Sequence, residues 1–143
     1  MRNIGLIIAA LFLCYHNNTF GQKVDSLTNI HLIIKGTWLE DHVYQRNKTI
    51  RKTYEVKREE LLKMDTLKLT TDSLIVCSFE FQPLVNGADI WMISKSETLT
   101  NEMKKVIINQ KIKKITIESI KAVSKNTGKM YFIKSIVSLN IKN

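Results

Sequence analysis

Proline, glycine and cysteine are scarce in this sequence of 143 residues. It has one proline and five glycines, and it contains no repeat or low-complexity tract, so we find no flexible linker that would divide it into domains. Its two cysteines, Cys14 and Cys77, are too few for a small scaffold that depends on several disulfides. The sequence therefore predicts one compact domain.

Motifs that carry chemistry are also missing. No G-x-S-x-G elbow occurs, and no serine has an evident histidine partner, which argues against a hydrolase. A glycine-rich phosphate loop is absent from the sequence as well. We therefore predict a protein that is not an enzyme and that binds no cofactor.

The first 22 residues, MRNIGLIIAALFLCYHNNTFGQ, have the three parts of a secretory signal. Arg2 supplies the positive start, Ile4 to Leu13 form the apolar run, and Gly21 is a small residue suited to cleavage. The run has about half of the ~20 residues that span a bilayer, so a permanent anchor is the weaker interpretation. Cys14 would allow a lipoprotein, but a small residue normally precedes a lipidated cysteine and here Leu13 does.

We therefore predict a signal peptide at residues 1–21 and a mature domain at residues 22–143, located in the periplasm or secreted. The whole chain has a formal net charge of +9, and loss of the signal, which carries Arg2 and no acidic residue, would lower it to +8. This charge is spread along the chain, as in a solvated surface; an acidic protein partner and a membrane surface are the alternatives. Nucleic acid is a poor candidate partner, because the exported chain has no recognised binding motif.

Alternation of apolar and polar residues predicts strands in residues 30–35, 50–57 and 73–82. In the third of these, Cys77, Phe79 and Phe81 share one face, and we expect Cys77 to be a small buried residue rather than a reactive thiol. Asn86-Gly87 can adopt the positive φ angles of a tight hairpin turn, so Ala88 to Ile93 should return antiparallel to that strand.

Two segments have helical features. REELLKMDTLKL places two acidic residues ahead of two leucines, as at the start of a single helical turn. Further on, Met103, Val106 and Ile107 fall at helical spacing, and Thr100 can cap the start of that helix. We expect one or two short helices in the domain.

The segment after the second helix changes phase. Ile115 and Ile117 have one parity along the chain, whereas Ile120 and Ala122 have the other. A β-bulge near Glu118-Ser119 is the simplest way for one strand to bury all four.

A final alternating run extends from Tyr131 to Ile141. Six or seven short strands and two small helices in about 122 mature residues predict a mainly β fold. We expect an antiparallel two-sheet sandwich of the immunoglobulin-like kind.

Four segments follow one another in the C-terminal half of the sequence: LIVCSFEF, ISKSETLTNEMKKVI, ITIESIKA and, after a polar turn with Gly128, FIKSIVSLNI. Their order resembles the C-terminal domain of GldM, the gliding-motility and type IX secretion protein of the Bacteroidetes. The resemblance covers roughly residues 58 to 143. One departure is that Lys111-Ile112-Lys113 replaces the glycine usually found before the ITIE-like strand.

The resemblance implies an immunoglobulin-like periplasmic module that binds other proteins of a cell-envelope complex and performs no chemistry. In the family, the full protein has a transmembrane helix and several periplasmic domains. This sequence shows no such helix and has room for one domain only. We therefore expect an accessory copy of the domain, and a motor role is not carried over.

A run of lysines is the predicted interface of the domain. Docking of an acidic protein partner is the functional interpretation of this charge, and a solvated surface is the ordinary one. The five lysines are Lys104, Lys105, Lys111, Lys113 and Lys114. The sequence names neither the partner nor the oligomeric state.

Glu40-Asp41-His42, with His31 nearby in the sequence, is a candidate metal or acid/base site. Metal sites need three or four ligands that converge in a fixed geometry, and this sequence offers one short run. We therefore predict a polar loop here and no metal.

Aromatic residues suggest a second function, that of a secreted carbohydrate-binding β-sandwich. Trp38 and Trp91, with Tyr44 and Tyr54, could form a platform on which sugar rings stack. Because tryptophans in sandwiches more often fill the core, we expect these two to be buried.

We expect cleavage close to Gly21, because the apolar run is too short to anchor the chain and Gly21 is a small residue where the peptidase needs one. Mass spectrometry of the exported protein should therefore find an N-terminus near Gln22. A mature form that keeps residues 1–13, or that carries lipid on Cys14, would contradict this prediction.

Overall fold

The structure, a computed structural model, describes residues 25–143 as a mainly β protein built on one curled, mixed sheet. The predicted signal peptide, its cleavage site and Cys14 lie outside these residues. The strands of the described chain are β1 (Asp25–Leu27), β2 (Thr37–Tyr44), β3 (Thr49–Lys57), β4 (Leu74–Val85), β5 (Ala88–Asp89), β6 (Met92–Ser94), β7 (Lys114–Ser124), β8 (Met130–Ile133) and β9 (Ser135–Lys142). Its two helices are α1 (Arg58–Lys63) and α2 (Asn101–Ile108).

β7 is the central strand of the sheet. It pairs with β4 along one side, and along the other it pairs with β9 over its first half and with β8 over its second. β1 then adds to β8 and β3 adds to β9, both in parallel, and β2 lies antiparallel to β3. The prediction of a wholly antiparallel arrangement is therefore wrong, because long excursions of the chain bring β1 and β3 alongside strands that run in the same direction.

Among residues 25–143, the free edges of this sheet are β1, β2 and the β5–β6 segment. β5 and β6 pair with β4 in one continuous antiparallel register, which begins at the turn Asn86-Gly87. Both turn residues have positive φ, 50° and 80°, as the hairpin prediction requires. The gap between β5 and β6 lies opposite Pro83, which has no N–H to donate to the ladder.

The predicted β-bulge in β7 is confirmed. Ser119 has a φ of 52°, and the pairing with β4 shifts register at this position. Ile115 and Ile117 before the bulge and Ile120 and Ala122 after it are consequently all buried. A second extra residue, Cys77 on β4, offsets the one on β7, so the register is the same beyond both irregularities.

Other strand predictions are confirmed in part. β3 and β4 occupy the expected segments, and Cys77, Phe79 and Phe81 are buried; Cys77 is not a free thiol. Residues 30–35, however, form no strand: Leu32 is buried, but the segment makes only an isolated bridge to Leu69. The final run is divided into β8 and β9 at Lys134, where the two halves take different neighbours.

The two helices close the core that the curled sheet surrounds. Thr100 caps α2 as predicted, since its Oγ1 accepts a hydrogen bond from the Met103 N–H at 3.2 Å. Met103 and Ile107 of α2 and Leu61 of α1 are buried against residues of β4, β7 and β9. In residues 25–143, neither helix is long and apolar enough to cross a membrane.

We expect Phe79→Ala to lower the free energy of unfolding by about 3–5 kcal/mol, because Phe79 has no exposed surface and its removal leaves a large cavity. Urea or thermal unfolding measures the change. Ser78→Ala, one position along β4 and half-buried, is the control and should change stability much less. A Phe79→Ala variant that melts within a degree or two of the parent would contradict the packing of β4.

Candidate interaction surface

β2 is exposed along all eight of its residues, although it is a regular partner of β3. The register between the two strands shifts at Leu39, which adds an extra residue to the edge strand. Four large apolar side chains on this strand reach solvent: Trp38, Leu39, Val43 and Tyr44. Among the strands of residues 25–143, none pairs with its outer edge, and an exposed apolar edge of this kind is uncommon because it invites pairing with another chain.

The Trp38 ring is fixed in position by a polar link on the same face of β2. Its indole N–H donates to Asp41 Oδ1 at 2.9 Å, and Lys52 Nζ on β3 lies 3.0 Å from Asp41 Oδ2. The hydrogen bond from Trp38, together with Lys52, lowers the pKa of Asp41 below its ordinary value. The Asp41 carboxylate therefore stays charged at neutral pH and orients an indole ring that is 57% exposed.

Glu40-Asp41-His42 lies within β2, so the prediction of a polar loop is wrong. Neighbouring residues of a strand point to opposite faces, which separates Asp41 from Glu40 and His42. Asp41 is engaged by Trp38 and Lys52, and the His42 ring meets the Tyr44 ring edge to face at 4.7 Å. Among the residues that the structure describes, no three His, Cys, Asp or Glu side chains are grouped to hold a metal ion.

His31 contacts a serine rather than joining that run in a group of ligands. Its Nδ1 lies 3.3 Å from the Oγ of Ser135, at the start of β9. Burial, helped by the positive charge of Lys52, lowers the pKa of His31, so the ring is mostly neutral at pH 7. Ser135 is only 1% exposed, and the pair attaches the segment before β2 to β9.

The prediction that Trp38 and Trp91 fill the core is wrong. Trp91 is 63% exposed and follows β5, close to the exposed side chains of Ile90 and Ile93. The two tryptophans thus lie at different edges of the sheet, one on β2 and one beside β6. Of the two tyrosines grouped with them, Tyr54 packs against the core.

The five predicted interface lysines do not belong to one helix. Lys104 and Lys105 lie on α2, where Lys104 is 2.6 Å from Asp65 and Lys105 is 3.1 Å from Glu102. Lys111 and Lys113 are exposed in the connection after α2, and Lys114 is the first residue of β7. Within residues 25–143, these last three lysines have no acidic partner.

Arg58 shapes this connection, and no sequence pattern marks it. It is 9% exposed, and its guanidinium donates to the backbone carbonyls of Ile107, of Asn109 at 3.0 Å and of Ile112 at 2.9 Å. Asn143 Oδ1 accepts two more hydrogen bonds from the same group. The first residue of α1 therefore holds the end of α2 and the segment that presents Lys111 and Lys113.

Comparison with models of known protein families gives no match for this chain, and no curated protein matches it significantly. The likeness to the GldM C-terminal domain therefore stays a prediction from the sequence pattern.

We expect Arg58→Lys to lower the free energy of unfolding by about 1–3 kcal/mol, because an ammonium keeps the charge but cannot supply the fork of donors that these carbonyls use. Arg46→Lys, at an exposed position between β2 and β3, is the matched control and should have almost no effect. Denaturant unfolding of both variants decides the matter. Equal stability of the two would show that Arg58 is dispensable.

Proposed function

We propose that the chain is an exported, non-enzymatic module that binds another protein, with β2 as its main contact. The observation that carries the proposal is the edge itself: eight exposed residues, four of them large and apolar, with no neighbour on the outer side among the described strands. A strand of this kind can accept an extended segment of a partner, which adds to the sheet through main-chain hydrogen bonds. We commit to such a segment as the occupant.

Side chains on β2 would supply the specificity of this pairing. Trp38 and Val43 lie on the same face of the strand as Asp41, and the bond to Asp41 already orders the indole ring. An ordered aromatic side chain loses little conformational freedom on binding, which favours it as an anchor. The partner segment should therefore place apolar side chains at alternate positions opposite this face.

Lys111, Lys113 and Lys114 provide a second, electrostatic contribution. They are the members of the predicted lysine interface that have no acidic neighbour in the described chain, and the net charge of the whole sequence is strongly positive. We propose that they attract an acidic region of the same partner and speed its association. Lys104 contributes less, because its charge is already balanced by Asp65.

The resemblance to GldM suggests where such a module would work. We propose a periplasmic or secreted protein that belongs to a cell-envelope complex of the gliding or type IX secretion kind, in an accessory role. The immunoglobulin-like, two-sheet arrangement is part of this proposal. Its support is that the strands on both sides of β7 contribute side chains to one core, as the two layers of a sandwich do.

We expect the double variant Leu39→Lys/Val43→Lys to reduce capture of the partner at least tenfold when the mature protein is used as bait in a native cell-envelope extract. Both side chains already lie in solvent, so the domain should stay folded, while two lysines on an edge strand oppose pairing. Ile90→Lys/Ile93→Lys at a different edge adds the same charge and should leave capture unchanged.

Hydrogen exchange of the captured complex then locates the contact. Amides of residues 37–44 should exchange more slowly in the complex than in the free protein. A third variant, Lys111→Glu/Lys113→Glu, should weaken capture more in low salt than in moderate salt. If Leu39→Lys/Val43→Lys captured as much partner as Ile90→Lys/Ile93→Lys, β2 would be refuted as the interface. Protection from exchange that is confined to another strand would refute it as well.

Carbohydrate binding is the second candidate, and one observation favours it: both tryptophans are open to solvent. Their position at different edges of the sheet counts against a shared platform, so each would have to bind sugar alone. A glycan array with the parent, Trp38→Ala and Trp91→Ala distinguishes the two functions. Binding that either substitution abolishes would favour the carbohydrate module.

A further inference from the structure

A cleft of about 340 Å³ opens where the sheet divides between β8 and β9. On β7, the residues that pair with β9 end at Ile117 and those that pair with β8 begin at Ile120, so Glu118 and Ser119 lie in a gap of the ladder. On the other side of this gap, Lys134 separates β8 from β9. The cleft lies in this gap and extends to the start of β3 and the turn before it.

Arg51 of β3 is the polar residue of the cleft whose bonding is incomplete. Its Nε is buried and has no hydrogen-bond acceptor, and the guanidinium makes no ion pair in the described chain; it lies over the Tyr44 ring at 5.8 Å. A buried donor without an acceptor is rare in folded proteins and is costly. A cation–π contact with one ring is a weak restraint, which leaves the guanidinium able to turn toward an incoming oxygen.

A second cation lines the same cleft. Lys134 Nζ donates to the carbonyl of Asn47 at 2.8 Å, and an ammonium has three protons, so two remain for other acceptors. Glu118 is the acidic residue of the lining, and its Oε1 accepts a 2.7 Å hydrogen bond from Gln82. Arg51, Lys134 and Glu118 together give the cleft one net positive charge.

Ser119 adds an independent sign that this region is specialised. Its positive φ is unfavourable for a residue with a Cβ, and backbone strain of this kind tends to be kept at binding sites. The bulge serves the core by shifting the phase of β7, but it also opens the ladder beside the cleft that the two cations line.

We propose that this cleft binds a single carboxylate group. A carboxylate presents two oxygens in one plane, which match the paired N–H groups along one side of a guanidinium. Its single negative charge balances the single positive charge of the cleft, whereas a phosphate dianion would leave an excess beside Glu118. Bound in this way, one oxygen accepts from Arg51 Nε and the other from the Nη group on the same side, with Lys134 lining the same cleft. The proposal does not depend on protein binding at β2.

Nuclear magnetic resonance of the mature protein tests the proposal with N-acetylglycine as the probe. Titration should shift the Arg51 Nε–H signal and the amides of Ser119 and Lys134. N-acetylglycinamide, which has the same size but no charge, should produce no such shifts at equal concentration. Inorganic phosphate should bind more weakly than N-acetylglycine.

Three variants complete the experiment. Arg51→Gln should weaken N-acetylglycine binding at least tenfold, and Lys134→Gln should weaken it several-fold. Lys125→Gln removes an exposed lysine outside the cleft lining and should leave binding unchanged. Shifts spread over exposed lysines, equal shifts with the neutral amide, or tighter binding of phosphate would each overturn the proposal. Because the shifts are measured on the parent protein, a variant that fails to fold does not prevent a decision.

Discussion

The architecture depends on the bulge at Ser119, in the middle of the central strand. β7 must present apolar side chains to one core along its whole length, and the chain supplies them with one parity before this point and the opposite parity after it. A regular strand would turn Ile120 and Ala122 to the wrong face. Ser119, with its left-handed backbone, corrects the phase. This conformation costs about 1–2 kcal/mol, which burial of the side chains beyond it offsets.

The same bulge determines how the rest of the sheet is arranged. Because the ladder along β7 is interrupted there, the neighbouring chain divides at Lys134 into β8 and β9. Each half then takes its own parallel partner, β1 or β3, and the sheet curls as these pairs diverge. The exposed strand β2 and the cleft beside Arg51 both follow from this division. β2 pairs with β3, Arg51 lies on β3, and β3 is held in the sheet by β9.

Local chemistry made several features predictable from the sequence. The Thr100 cap, the Asn86-Gly87 turn and the bulge each depend on residues within a few positions of one another, and the structure has all three. Features that depend on distant parts of the chain were missed. β2 gives no alternating signal because both of its faces are exposed, and the parallel pairs of β3 with β9 join segments far apart in the sequence. Ile30, Leu32 and Ile34 have the spacing of strand residues, but this segment pairs with the rest of the chain only through the bridge from Leu32 to Leu69.

Sequence reasoning about the site was limited in the same way. The lysines were identified by their charge, but their partners Asp65 and Glu102 show which of them are neutralised. The exposure of Trp38 and Trp91 follows from their being at sheet edges, and edges are set by the order of strands rather than by composition. In the sequence, Arg58 has the pattern of an exposed cation at the start of a helix, and only the fold shows that it is buried.

The bonding of Arg58 has a consequence for conditions in which the protein can work. Its acceptors are three main-chain carbonyls and a carboxamide, and none of these groups gains or loses a proton between mild acid and mild alkali. A salt bridge to a carboxylate at this place would weaken as the surroundings became acidic, whereas this junction of α1, α2 and the C-terminal residue is held by bonds that acidification leaves intact.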